Sequence, residues 1–249
     1  MNLCVDIGNT RTKIAIFDNE GSILKLIIKD EFIASKLEKL FHKYAIKNLI
    51  ISSVKKKQGK FKRLFGSKVS HFIELSASTP IPIKNLYATP ETLGKDRLAG
   101  VIGAASIFPN SDILVIDAGT CITYDIIDAH GKYYGGNILP GLNMRFKALH
   151  SFTDRLPMLH REPLETHVGD STASSMQTGV QYGIVYEMKG FINKYKDIYP
   201  DLRVLITGGD ASFFVSQMEN QIFAVPDLVL MGLNHILNYN IQVSEKEKN

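Results

Sequence analysis

Leu3-Cys4-Val5-Asp6-Ile7-Gly8-Asn9-Thr10 is the stretch that decides the fold. Leu3, Val5 and Ile7 alternate as in a buried strand, and Lys13-Ile14-Ala15-Ile16-Phe17 reads as the strand that returns beside it. Between the two, Gly8 allows a tight turn and close approach of another group. Asn9 and Thr10 add side-chain donors to the exposed backbone N–H groups, and Asp6 sets one carboxylate at the mouth. That combination suits phosphate oxygens with a hydrated cation between protein and nucleotide. The same residues, taken alone, also describe an ordinary strand corner with an Asp turn residue.

The pattern recurs farther along. Ile113-Leu114-Val115-Ile116-Asp117-Ala118-Gly119-Thr120 and the run 121–127 repeat strand, Asp, small residue, Gly, hydroxyl and second strand. Two such copies imply two similar halves, each presenting a carboxylate and a glycine turn. A third strand follows each copy, at 23–28 after Asn19-Glu20-Gly21 and at 132–139 after His130-Gly131. The first half continues with a helix over 31–44, capped by Asp30, with Phe32, Leu37, Leu40 and Phe41 near one face, then a buried strand over 48–53. Residues 55–68 carry Lys55, Lys56, Lys57, Lys60, Lys62, Arg63 and Lys68 with Phe61, Leu64 and Phe65 interleaved. A helix with a solvated cationic face accounts for them, and a nucleic-acid or membrane patch is the alternative. A short strand over 71–75 and a linker with Pro80 and Pro82 complete this half.

A third informative segment is Tyr87 to Arg97. Gly94-Lys95-Asp96-Arg97 falls at a helix start, before a helix over 98–108 rich in Ala and Gly. Backbone N–H groups and the dipole favour an anion there. Lys95 and Arg97 would keep Asp96 ionised and available as a base. The expected boundary lies near Pro109, dividing the chain into domains 1–109 and 110–249. In the second, helices are expected over 142–152, with Arg145 and Lys147, and over 173–199, opened by Gly169-Asp170-Ser171-Thr172. Gly179, Gly183 and Gly190 inside the longer helix point to close approach of another helix, from this chain or a second subunit. Thr207-Gly208-Gly209 ends a strand at a turn where backbone can lie flat against a ligand. A final apolar helix over 228–237 and a disordered charged tail over 244–249 close the chain.

Composition narrows the classes. At 249 residues the chain suits two modest domains or one large one, and 45% hydrophobic content allows a sizeable core. A net charge of +4 fits an anionic small substrate and falls short of the excess of a nucleic-acid binder. Cys4 and Cys121 sit in apolar runs and read as buried, reduced thiols. No run approaches membrane-spanning length and no leader pattern precedes the first strand, so a cytoplasmic location is expected.

In their order and spacing, Asp6 to Thr10, Thr89-Pro90 to Arg97, Asp117 to Thr120, Gly135-Gly136 to Pro140-Gly141, Gly169 to Gly179 and Thr207-Gly208-Gly209 resemble the type III pantothenate kinases of the actin and sugar-kinase superfamily. The resemblance implies an α/β fold of two ribonuclease-H-like (actin-like ATPase) domains, each a mixed β-sheet with flanking helices, around a central cleft. It implies ATP-dependent phosphorylation of pantothenate, the first step of coenzyme A biosynthesis. Asp6, Ile7, Gly8, Asn9, Thr10, Arg11, Thr12 and Lys13 would bind ATP, with Thr120 as a further contact. Tyr87, Gly94, Lys95, Asp96 and Arg97 would bind pantothenate, Asp96 would be the general base, and Asp117 would hold a monovalent cation, potassium or ammonium. Mg²⁺ would accompany ATP. Thr172 would reach pantothenate across the interface of a homodimer. Ala118, where many members carry Phe, and Leu139, where Thr is frequent, depart from the pattern. Another kinase or phosphatase of the superfamily, or a regulatory nucleic-acid binder on the same fold, is the alternative.

Overall fold

The computed structural model describes residues 1–29, 34–53, 60–218 and 222–247, and by its contacts the chain divides into two compact units. One comprises residues 1–109, 131–134 and 227–249; the other comprises 110–130 and 135–226. Asp30, Phe32, Lys55, Lys56 and Lys57 lie outside the described residues.

The first unit is built on β1 (Asn2–Ile7), β2 (Thr12–Phe17), β3 (Ile23–Lys29), α1 (Ala34–Lys43), β4 (Asn48–Ser53), α2 (Lys60–Phe65), β5 (His71–Glu74), β6 (Lys84–Asn85) and α3 (Lys95–Ile107). Its sheet runs β3-β2-β1-β4-β5, with β1, β2 and β3 antiparallel and β4 and β5 parallel to β1. Period-two alternation gives β1 two occupied faces. Leu3, Val5 and Ile7 join Ile14, Ile16, Leu49 and Ile51 under Leu37 and Leu40 of α1 and Phe61 and Phe65 of α2. Asn2, Cys4 and Asp6 point the other way. In α2 the phenylalanines are buried while Lys62 and Arg63 face solvent, and Lys68 pairs with Glu38 at 3.3 Å. The described part of the basic stretch is therefore a solvated helix face.

The second unit contains β7 (Ile113–Ala118), β8 (Cys121–Ile127), β9 (Lys132–Pro140), α4 (Leu142–Ser151), α5 (Thr172–Ile198), β10 (Arg203–Thr207), α6 (Ala211–Ser216) and β11 (Ile222–Ala224). Strand β9 begins in the first unit, where Lys132 and Tyr133 pair with Lys84 and Asn85. The sheet order is β11-β10-β7-β8-β9. Again the first strand pairs antiparallel with the second and parallel with a later one. The repeat read from the sequence is thus a repeat of topology. Its core joins Leu114, Ile116, Tyr124 and Ile126 to Val180, Ile184 and Met188 of α5 and Phe146 of α4. Cys4 is buried as expected, but Cys121 is only half-buried, with its Sγ 3.8 Å from the Met144 Sδ.

The last helix departs from the expected division at residue 110. Helix α7 (Leu228–Lys246) belongs to the first unit. It packs on α3 backbone to backbone: a Cβ on Gly232 would overlap the Ala99 carbonyl, and one on Gly103 would stand 2.5 Å from the Leu228 carbonyl oxygen. Its Asn234 and Asn238 accept hydrogen bonds from Asn2 Nδ2 at 2.8 and 2.7 Å. Residues 244–246 are also helical, where a disordered tail was expected. Asn240 donates to the Pro80 carbonyl and Ser244 donates to the Asn240 carbonyl, which carry the helix on past its apolar run. Gly232→Val is expected to destabilise the protein by about 3 kcal/mol, the range of overpacked or displaced core contacts. Urea unfolding measures it, and a loss below about 0.5 kcal/mol, the scale of a surface change, would contradict this packing.

Candidate functional site

In the first unit the turn between β1 and β2 is closed by Gly8 N–H donating to the Arg11 carbonyl at 3.0 Å. Ile7 and Thr12 are buried at its base, while Asn9, Thr10 and Arg11 are exposed at its tip. Exposed backbone at such a tip can face an anion. Asp6 faces Lys13 across the antiparallel pair and Ser52 across the parallel one. Asp6 Oδ1 and Ser52 Oγ are buried, and neither has a well-formed hydrogen bond. Burial first and the Asp96 charge second push the Asp6 carboxyl up to about 6, against the opposing Ser52 hydroxyl and Lys13 ammonium. A buried, unpartnered carboxylate oxygen is a fitting ligand for a hard cation or its hydration shell.

Helix α3 brings the second group. Gly94 is its N-cap, and Asp96 lies in the first turn. Asp96 Oδ1 accepts the Arg97 backbone N–H at 2.9 Å, and a Cβ on Gly94 would stand 2.6 Å from that oxygen. The Arg97 side chain is buried, with its guanidinium carbon 5.6 Å from the Tyr87 ring centre. Tyr87 in turn stacks on Tyr133, with ring centres 6.4 Å apart. Tyr133, Tyr87 and Arg97 therefore form one column that fixes a guanidinium beside a helix N-terminus. The structure thus groups Asp6, Lys13, Tyr87, Gly94, Lys95, Asp96 and Arg97 in one unit, with the Asp6 and Asp96 charges close enough to act on each other.

The second unit repeats the turn with different bracing. Asp117 lies opposite Thr207 across the parallel β7–β10 pair. Gly208 has a φ of 99°, and a Cβ there would overlap the Ala118 carbonyl and stand 2.5 Å from Asp117 Oδ1. Only glycine fits that seat. A carboxylate and a carbonyl oxygen converge there, a donor set suited to a hard cation. No cluster of three or more His, Cys, Asp or Glu side chains with metal-binding geometry occurs among the described residues. On the far side of the turn, Gly141 donates to the Thr120 carbonyl at 3.1 Å. A cavity of about 560 Å³ opens beside α6, lined by Arg161, Tyr182, Phe213 and Gln217 among others. Arg161 lies over the Phe213 ring at 5.0 Å and 3.9 Å from Asp210.

Thr172 is exposed in the first turn of α5, which Ser171 caps through a reciprocal bond pair with Ser174. With Pro140, Arg145, Leu149, Met176 and Gly179 it lines an open groove of about 800 Å³. No group of the described chain lies within 4 Å of a Cβ position at Gly179, Gly183 or Gly190. The helix partner expected for those glycines is therefore not supplied by the described chain. Sequence reasoning missed Ser52 opposite Asp6 and the Arg161–Phe213 cavity, and it singled out Thr207 with its glycine turn without placing it opposite Asp117. The signal for these placements is strand register and tertiary packing, neither of which is local in sequence.

A family model described as type III pantothenate kinase matches residues 2–194. The chain belongs to the type III pantothenate kinase family. A member from Bacteroides fragilis is 45% identical over 240 residues, covering 96% of this chain and 98% of its own. Among solved structures, a Campylobacter jejuni protein described as a Baf family transcriptional activator is similar with a TM-score of 0.62 at 20% identity, covering 96% of this chain and 99% of that one. A Sinorhizobium meliloti protein described as a 2-dehydro-3-deoxygalactonokinase follows at 0.61 and 13%, with the same coverage. These two likenesses show the fold alone, an α/β architecture of two mixed sheets.

Asp6 carries a stability signature. Its carboxyl moves from 3.8 in the unfolded chain to about 6 when folded, so its contribution is fully present below about pH 4 and lost as pH rises through 6. Asp6→Asn cannot ionise. Relative to the parent protein, the variant is expected to be more stable at pH 8 than at pH 4 by about 2.5 kcal/mol, without ligands. Urea unfolding at both pH values tests this, and an equal difference at both would contradict the buried carboxylate.

Proposed function

We propose that the chain phosphorylates pantothenate to 4'-phosphopantothenate at the expense of ATP, the first step of coenzyme A biosynthesis, with Asp96 as general base. The observation that supports it most is the grouping in one unit of a phosphate-type turn, a second carboxylate and a stacked guanidinium. Family membership supplies the substrate.

Phosphoryl transfer needs alignment and charge neutralisation more than covalent help. The turn from Asp6 to Lys13 holds the phosphates through its backbone N–H groups, Thr10 and Lys13. Mg²⁺, when bound, neutralises phosphate charge, and the buried Asp6 Oδ1 is the group to hold it. Asp96 accepts the proton of the attacking hydroxyl. Arg97, held against Tyr87, pairs with the pantothenate carboxylate in two parallel hydrogen bonds, and Gly94 and Lys95 line the same helix start. The column leaves the guanidinium little freedom to lose on binding.

In the second unit, Thr120 contacts ATP, and the adenosine portion lies along Gly208-Gly209 toward the cavity beside α6. Asp117 holds potassium or ammonium, whose charge offsets that of the phosphates. Thr172 serves the pantothenate site of a second copy in a homodimer. The exposed Thr172, its groove and the uncovered glycine face of α5 support that arrangement. The location we assign is the cytoplasm; no described helix is long and apolar enough to cross a membrane.

Asp96→Asn tests the base. It is expected to bind ATP and pantothenate as the parent does while turnover falls by about 10²–10⁴-fold, the usual contribution of a positioned base. Calorimetric binding with a coupled ADP assay measures both, and near-normal turnover would remove Asp96 from that role.

A further inference from the structure

Arg145 holds three points together. Its Nη2 donates to both carboxylate oxygens of Glu187 on α5, at 2.8 and 2.9 Å. Its Nε donates to the Pro140 carbonyl at 2.9 Å. Pro140 ends β9, and Gly141, the N-cap of α4, follows it. That cap has no side-chain hydrogen bond, so the guanidinium is the group that orients the chain entering α4. Gly141 then meets the Asp117–Thr120 turn directly. Its N–H donates to the Thr120 carbonyl, and a Cβ on it would stand 2.5 Å from the same oxygen. Side chains of the Arg145–Glu187 pair are only 21% and 23% exposed. A charge-assisted, part-buried pair of this kind is stronger than a surface ion pair.

The tie is not what folds α4. Leu142 and Phe146 are buried in the core of the unit and anchor the helix by themselves. What the guanidinium adds is the position of Pro140 and Gly141, and Gly141 is seated against the back of the turn.

We propose that Arg145 and Glu187 are positioning residues for the Asp117–Thr120 turn, setting its affinity for nucleotide and monovalent cation through Pro140 and Gly141. The proposal rests on the reading that this turn receives ATP. Loss of the tie loosens Thr120 and Asp117 without touching Tyr87 or Arg97; Arg145 also lines the groove that holds Thr172, so the effect falls mainly on ATP and less on pantothenate.

The test compares Arg145→Met, Arg145→Lys, Glu187→Gln and Thr120→Val in steady-state assays, with thermal melting and light scattering as checks on folding and oligomeric state. Arg145→Met is expected to raise the KM for ATP and the potassium activation constant about tenfold, the effect of losing one charge-assisted tie. The KM for pantothenate, whose proposed Thr172 contact shares the Arg145 groove, should rise by clearly less than the KM for ATP. Arg145→Lys should recover only part, because an ammonium cannot span Glu187 and Pro140 as the planar fork does. Glu187→Gln should fall between. Unchanged ATP and potassium constants in a folded Arg145→Met would overturn the proposal, as would parallel losses in both KM values with a lowered melting temperature. If Thr120→Val alone raises the KM for ATP, the tie fails and the turn reading stands. If Thr120→Val also leaves ATP binding unchanged, both fall.

Discussion

A buried carboxylate whose Oδ1 has no hydrogen bond, that of Asp6, is the constraint on which the first unit depends. It lies on a strand flanked on both sides, on the face opposite the Leu3, Val5 and Ile7 core, and its own environment disfavours its charge. Lys13 and Ser52 ease the penalty only in part. A second carboxylate, Asp96, adds to it. Such an arrangement is unfavourable in the empty protein and becomes favourable when a cation and a polyanion arrive together. The stability given up at Asp6 is made good by packing elsewhere, above all by α3 and α7, whose glycines bring the two helices to backbone contact. Helix α3 also carries Asp96 and Arg97, so the contact that offsets the strain positions the chemistry.

The two turns share a plan and differ in bracing. Each places an Asp at the end of a strand opposite a hydroxyl residue, Asp6 with Ser52 and Asp117 with Thr207. The first turn is exposed at its tip, which suits a loop that closes around phosphates. The second is held by backbone on two sides, by Gly208 against Ala118 and by Gly141 against Thr120. That rigidity suits a site of fixed oxygen donors. One duplicated motif thus takes two forms, according to what packs behind it.

Local pattern made much of this legible. Alternation in 3–7 and 13–17, the turn glycines and the helix start at Gly94 all act within a few residues, and the structure keeps them. The second copy at Asp117 was legible because repetition is visible in a linear chain. Other features are fixed by partners distant in sequence. Helix α7 returns to the first unit because Gly232 fits against Ala99, more than a hundred positions earlier, and a division at residue 110 follows the chain and not the packing. Ser52 and Thr207 gain their places from strand register. The Arg145–Glu187 pair joins residues 42 positions apart and exists only because α4 and α5 lie side by side. The Asp6 shift has the same origin: its cause is burial, which no neighbour in sequence reveals, whereas Asp96 has its cations beside it in the chain.

The central claim is that this chain transfers phosphate from ATP to pantothenate. The most direct measurement is a coupled ADP-release assay with and without pantothenate in potassium buffer, with the product identified by mass. The account predicts ADP release that depends on pantothenate, matched one for one by phosphopantothenate. ADP release indifferent to pantothenate, with no phosphorylated product, would contradict it.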